Sequence, residues 1–241
     1  GGRKPRGTAP VPWHAGTGAM SFDPHLLVQY GPELLSGLGL TIEIWIAGSA
    51  ISIVVGAILG TLLTFGPRRV RVAIRCYVEL FRGTPLLVQL FLLYYGGPQI
   101  GITMSAMAAG LLGLGLYGGA YFAELFRAGL TSVPAGQIQA ARAFGYSTKH
   151  TLVHVVMPQA LVLMVPPSIN LLIIILKDTA ILSIITIPEL TFQVTGMTLE
   201  TFAFIEPYLA LALGYWLLVE LTAWLGHAAE RRLSRHMTGL A

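Results

Sequence analysis

Three stretches of this chain hold no aspartate, glutamate, lysine or arginine: Ile44 to Pro67, Gly83 to Ala123 and His150 to Leu176. Few environments accept such runs. A helix that is apolar all round is buried in a large core or in lipid. Only 11% of the 241 residues are charged and mean hydropathy is +0.71, whereas a soluble domain carries roughly 25% charged residues. The chain therefore reads as an all-α membrane protein.

A spanning helix takes roughly 20 apolar residues. The first stretch holds one span. The second is 41 residues long with Gly96-Gly97-Pro98 near its centre, so it is expected to hold two. The third runs on through "INLLIIILKDTAILSIITIP" and holds one, and "EPYLALALGYWLLVELTAWLG" supplies another. The expectation is about five transmembrane helices in a single membrane domain, residues 20–241.

Lysine and arginine set the orientation. Arg68, Arg69, Arg71, Arg75 and Arg82 fall between spans one and two, Arg127, Arg142 and Lys149 between three and four, and Arg231, Arg232 and Arg235 after span five. The other connections carry acids: Asp23 and Glu33, then Glu189, Glu200 and Glu206. This alternation predicts the N-terminus outside and the C-terminus inside. Residues 1–19 precede Met20 and show no signal-peptide pattern. They read as an upstream extension or cloning remnant without fixed structure.

The net charge of +4 is thus a matter of membrane topology and not a nucleic-acid footprint. The single cysteine, Cys76, cannot form an internal disulfide and is expected to pack. No phosphate-binding G-x-x-x-x-G-K-[ST] loop, G-x-S-x-G elbow or His/Cys metal spacing occurs, so no enzyme or metal site is expected. His150 and His154 read as interface-facing. The pairs Gly56/Gly60 and Gly115/Gly119 have the spacing that lets helices approach closely, and are expected to pack neighbours within the chain. "GPRRVRVAIRCYVELFRGTP" reads as a basic, partly amphipathic segment at the membrane surface.

One segment is out of character. "PAGQIQAARAFG", residues 134–145, is polar and lies between apolar runs. Pro134 suits the first turn of a helix, the Gln, Ala and Arg residues favour one, and Gly145 suits its stop. A short helix exposed on the cytoplasmic side is expected.

That segment resembles the EAA loop of bacterial binding-protein-dependent ABC permeases, which reads E-A-A, three residues, Gly, nine residues, I-x-L-P. Here Gln139-Ala140-Ala141 is followed at the same spacings by Gly145 and by Val155-Val156-Met157-Pro158. Gln139 replaces the glutamate and removes its charge. "YVELFRGTPLLVQLFLLYYG", "AYFAELFRAGLTSVPAGQ" and "PPSINLLIIILKDTAILSIITIPELT" are similar to the polar amino acid and opine permeases of that superfamily, and the likeness runs from Met20 onward.

The resemblance implies a type I ABC importer permease fold and a chain without its own ATPase site. It implies two cytoplasmic ATP-binding cassette subunits that hold ATP and magnesium, a second permease subunit (a copy or a paralogue), an external solute-binding protein and an amino acid cargo. Gln139, Ala140, Ala141, Gly145 and Pro158 would form the helix that docks on the ATPase. Asn170, Lys177, Asp178 and Thr179 would lie near the amino acid. The family's usual acid after this asparagine is Leu171 here. A permease for another solute such as an osmolyte, and a self-contained channel or carrier, are the competing readings. Charge chemistry bears on the same residues independently: a zwitterion stripped of water needs both signs in the wall to offset its desolvation. On a regular helix Asn170 and Lys177 share a face and Thr179 points away. All four can face one cavity only if the helix bends or unwinds near Lys177.

Overall fold

The structure, a computed structural model, describes residues 22–238, with side chains through Arg232. The expectation for residues 1–19 lies outside the described residues. Helix α1 (Pro24–Gln29) leads into α2 (Gly31–Phe65). At 1.5 Å per residue, the 35 residues of α2 reach about 52 Å, well beyond a ~30 Å hydrocarbon core. The next elements are α3 (Arg68–Gly83) and α4 (Leu86–Phe91), which runs into a π turn (Leu92–Gly96) and a 3-10 turn (Gly97–Ile100). Then come α5 (Ala106–Thr131), the short α6 (Ala135–Ala143) and α7 (Thr148–Thr151), and a π turn (Leu152–Val156) that opens α8 (Met157–Asp178). A 3-10 turn (Thr179–Ile185), α9 (Leu190–Thr201) and α10 (Ile205–Thr238) complete the chain.

Among the described residues four helical runs are long and apolar enough to cross a membrane: Gly31–Phe65, Ala106–Thr131, Thr148–Ile185 and Ile205–Arg232. The pair Arg68–Gly83 and Leu86–Ile100, bent by 105°, brings the number to five when it is taken as one broken span. The stretch Gly83–Ala123, expected to hold two spans, contains most of α5 and the shorter Leu86–Ile100, which reaches spanning length only together with α3. Leu86–Ile100 alone is shorter than the ~20 residues a crossing takes. The bend has a local cause. Pro85 disfavours the helical conformation at the residue before it, and Thr84 is extended (φ −121°, ψ 144°). Gln89 closes the corner: its Nε2 donates to the carbonyls of Phe81 (2.9 Å) and Thr84 (3.1 Å), which no helix serves.

The tightest seam is α2 on α5. Gly56 sits against Phe122 and Ala123, and Gly60 against Phe126 and Ala123, while Gly115 and Gly119 receive Ile51 and Val55. The paired glycines therefore pack helices within the chain, by van der Waals contact, because lipid offers no hydrophobic drive. Around the seam lies one core of Ile44, Leu90, Leu114, Phe122, Ile175 and Leu182. That core surrounds the 3-10 turn after α8 and so fixes the end of α8 in place.

One expectation about a single residue fails. Cys76 is exposed, because Ile74 and Val78 point into the core from the other side of α3. Glu189 and Glu206, read from the sequence only as acids of a connecting stretch, do not sit in water. Glu189 is fully buried as the N-cap of α9, and Glu206 is buried and accepts the Asp23 backbone N–H at 2.6 Å. A burying partner exists for each carboxylate, which periodicity could not show. Tyr30 donates to Glu200 at 2.8 Å, and that bond to a carboxylate raises the phenol above its ordinary range.

Candidate functional site

Two places carry the residues singled out from the sequence. The first is α6. Its C-terminal end forms a Schellman motif: Tyr146 N–H donates to the Ala141 carbonyl (3.1 Å) and Gly145 N–H to the Arg142 carbonyl (2.9 Å). Gly145 has φ +83°, the left-handed region in which a Cβ is disfavoured. Gln139, Ala140 and Gly145 are exposed at the tip, while Ala141 is buried.

The inner side of α6 is anchored. Ile138 packs on Leu130, Val133 and Val156, and the Gln159 side-chain amide donates to the Gln137 side-chain oxygen at 2.5 Å. The helix is thus tied to the start of α8. Pro158 stands in that start, half-buried and apart from the exposed tip. It has no N–H to give the carbonyl of His154, and the chain widens into the π turn Leu152–Val156 immediately before it. Phe144 is missed from the sequence: it is 83% exposed beside the stop, with Tyr146 also exposed. The signal was there, since an aromatic ring beside a polar, exposed helix has no reason to meet water.

The second place is the end of α8. Asn170 and Lys177 are exposed and Asp178 is half-buried. The Oδ2 atom of Asp178 is buried without a hydrogen-bond partner. The helix does change at this point, tightening to 3-10 geometry from Thr179. Thr179 stays on the side away from Lys177: it is fully buried and donates to the Leu176 carbonyl at 2.7 Å. Its Oγ1 also lies 3.1 Å from the Tyr215 hydroxyl, which donates to Glu189 Oε2 at 3.1 Å. Glu189 in turn accepts the N–H groups of Thr191 (2.9 Å) and Phe192 (3.0 Å). Thr179 is thereby part of the bracket that holds the turn, and Asn170, Lys177 and Asp178 are left facing outward or unpaired. Trp45 steadies the same helix from α2 by donating to the Leu172 carbonyl at 2.9 Å.

Glu189 and Tyr215 are site-supporting residues that the sequence reading missed. Glutamate is an uncommon N-cap, and the tyrosine lies 26 residues further on in another helix. Among the described residues no three His, Cys, Asp or Glu side chains converge as a metal site. His150 and His154 stack on each other at 3.8 Å on the exposed side of the π turn.

Comparison with known proteins decides the family. Residues 52–235 match the model of the binding-protein-dependent transport system inner membrane component. The chain belongs to that family. It is therefore a multi-pass inner-membrane permease subunit of an ABC transport system, the membrane component and not itself the ATPase. The permease is 31% identical to the probable amino-acid ABC transporter permease protein YckA of Bacillus subtilis, over 90% of this chain and 96% of that one. It is 33% identical to the L-cystine transport system permease protein TcyB of the same organism (88% and 92% covered) and 31% identical to its arginine transport system permease protein ArtQ (89% and 98%). Among solved structures it superposes on an amino acid ABC transporter crystallised with histidines, at TM-score 0.83 and 33% identity, covering 88% of this chain and 99% of the other. The MetNI methionine ABC transporter shares the fold at TM-score 0.72 and 20% identity. These likenesses establish the type I ABC importer permease fold.

Proposed function

We propose that this permease forms the translocation path of an ATP-driven amino acid importer, with its N-terminus outside and its C-terminus in the cytoplasm. The observation that carries the reading is the buried, unpartnered Asp178 Oδ2 next to the exposed Lys177. A polar group left unpaired in a low-dielectric interior costs about 1–3 kcal/mol, and of the five such side-chain atoms among the described residues Asp178 Oδ2 alone belongs to a carboxylate. Lys177 meets the α-carboxylate and Asp178 the α-ammonium of the passing zwitterion as charge-assisted bonds. Asn170, one face below Lys177, supplies a further polar contact. Thr179 supports the site from behind. Leu171 in place of an acid argues against a strongly cationic cargo.

The exposed tip of α6, with Gln139, Ala140, Gly145 and the Phe144 ring, docks on a cytoplasmic ATPase. Ala141 and Pro158 carry the movement inward to α8. Two such ATPase subunits with magnesium-ATP, a second permease subunit and an external solute-binding protein complete the machine.

The test is uptake in proteoliposomes containing the whole complex and its binding protein. Lys177→Met and Asp178→Asn are each expected to lower uptake about 10- to 100-fold, the value of a charge-assisted bond of ~1.5–3 kcal/mol, while the complex still assembles. Normal uptake by both variants would place the solute elsewhere. Orientation is checked by reporters after Ala241 and in the Phe202–Phe204 loop, expected to report cytoplasm and exterior; the reverse pattern sinks the topology.

A further inference from the structure

Helix α3 has three distinct faces. At 100° per residue, Arg68, Arg71, Arg75, Glu79 and Arg82 fall in one stripe about 80° wide. Ile74 and Val78 pack inward beside Tyr77 and Phe81. Val72, Cys76 and Leu80 form a third, exposed apolar face. Arg75, Glu79 and Arg82 of the charged stripe are exposed and also border a recess. It is a cavity of ≈ 420 Å³ whose opposite wall is Tyr121 and Glu124 of α5, within the ~300–1,000 Å³ of small-molecule clefts.

The charges in this cavity are arranged for a visitor. Glu124 is occupied by Arg127, its neighbour one turn on, at 2.7 Å. Arg75, Glu79 and Arg82 have no ion-pair partner among the described residues. Arg82 stands 5.1 Å above the Tyr121 ring, which fixes the guanidinium while leaving its N–H fork free. Free groups of both signs thus share one wall, and desolvating a zwitterion is offset only where both are present.

Polar side chains lead from this cavity up α5 to the level at which α8 packs on it. Tyr117, Tyr121 and Glu124 lie at i, i+4 and i+7 on one face of α5, and the two phenol oxygens are 3.3 Å apart. Ile175, one turn before Asp178, packs at Gly118 beside Tyr117. From Tyr117 to Glu124 these side chains descend about 10 Å along α5, toward the end that leads into α6.

We propose that the cavity between α3 and α5 is a second, inner binding site for the transported amino acid, in which Arg82 takes the α-carboxylate and Glu79 the α-ammonium before release. The proposal rests on the reading of Lys177 and Asp178 as the first stop. Arg75 adds positive charge beside Glu79, and Tyr117 with Tyr121 gives the solute polar contacts between the two stops.

The test uses the reconstituted complex with its ATPase and binding protein. The proteinogenic L-amino acids are screened, and the one that stimulates ATP hydrolysis serves as probe. In a Cys76→Ser background, Glu79→Cys is labelled with a small water-soluble thiol reagent. Turnover with the probe is expected to slow labelling at least about threefold, and an unchanged rate overturns the inner site. Glu79→Gln and Arg82→Gln are each expected to cut uptake about tenfold. Normal uptake by both overturns the inner site alone, provided Lys177→Met and Asp178→Asn remain defective. Normal uptake by all four variants removes the first stop as well, and the proposal falls with it. If Arg82→Gln fails to assemble, Arg82→Lys keeps the cation without the planar fork, and labelling at Glu79→Cys still decides.

Discussion

Along the α2–α5 seam, Gly56, Gly60, Gly115 and Gly119 bring two backbones together, and the polar group there is fully used: Ser52 donates to the Gly48 carbonyl at 2.8 Å and reaches the Leu114 carbonyl at 3.1 Å. At the end of α8 the materials are opposite. Asp178 keeps a buried oxygen without a partner, Lys177 is exposed, and the backbone tightens into a 3-10 turn. The seam has one arrangement and nothing to exchange. The turn has polar groups to offer and a bracket, Thr179–Tyr215–Glu189, that keeps it from collapsing on them. A transport path needs both: a fixed frame, and a lining whose hydrogen bonds are open to the cargo.

The largest effect is expected at the seam. A Cβ at Gly56 would overlap Phe122 and press on the backbone there, and overpacking of a filled interface costs about 1–3 kcal/mol or more. Gly56→Leu should therefore abolish recovery of assembled protein. Lys177→Met, by contrast, should assemble and fail to transport. If Gly56→Leu yields normal amounts of active complex, the seam is not the frame. Next comes Tyr215→Phe. It removes the hydroxyl between Thr179 and Glu189 and leaves a buried carboxylate short of one donor, a loss of about 1–3 kcal/mol. Thermal stability of the purified complex should fall and KM should rise, since the turn holding Asp178 loosens. A change in neither would make the bracket ornamental.

The smallest effect is expected at α6. Gly145→Val forces a β-branched residue into the left-handed region, at about 1–2 kcal/mol. The seam and the α8 turn stay intact, so binding-protein-dependent stimulation of ATP hydrolysis should drop several-fold with insertion unaffected. Gln139→Glu, at an exposed position, should change little. Equal coupling in wild type and Gly145→Val would detach α6 from the ATPase.

How much of this was legible depended on what each residue interacts with. The spans were, because lipid enforces a run of apolar residues whatever the packing. The α6 stop was, because Gly145 has a local task that local sequence can state. The break at Thr84-Pro85 is legible in the proline, which disfavours a helical residue before it, but the charge-free length of the stretch does not show it. Glu189 was not legible: its carboxylate is satisfied by two backbone N–H groups of its own helix and by Tyr215 from α10, and nothing near Pro188 in the chain announces the tyrosine. Thr179 was half legible. The helical wheel placed it opposite Lys177, and the structure shows what waits on that side.

The central claim is that this permease moves its solute only when an ATPase on another chain drives it. The most direct measurement compares amino acid uptake in proteoliposomes holding the permease alone with uptake in those holding the full complex, with and without magnesium-ATP on the cytoplasmic side. The account predicts accumulation only with the full complex, the binding protein and ATP together. Uptake by the permease alone, indifferent to ATP, would contradict it and restore the self-contained carrier.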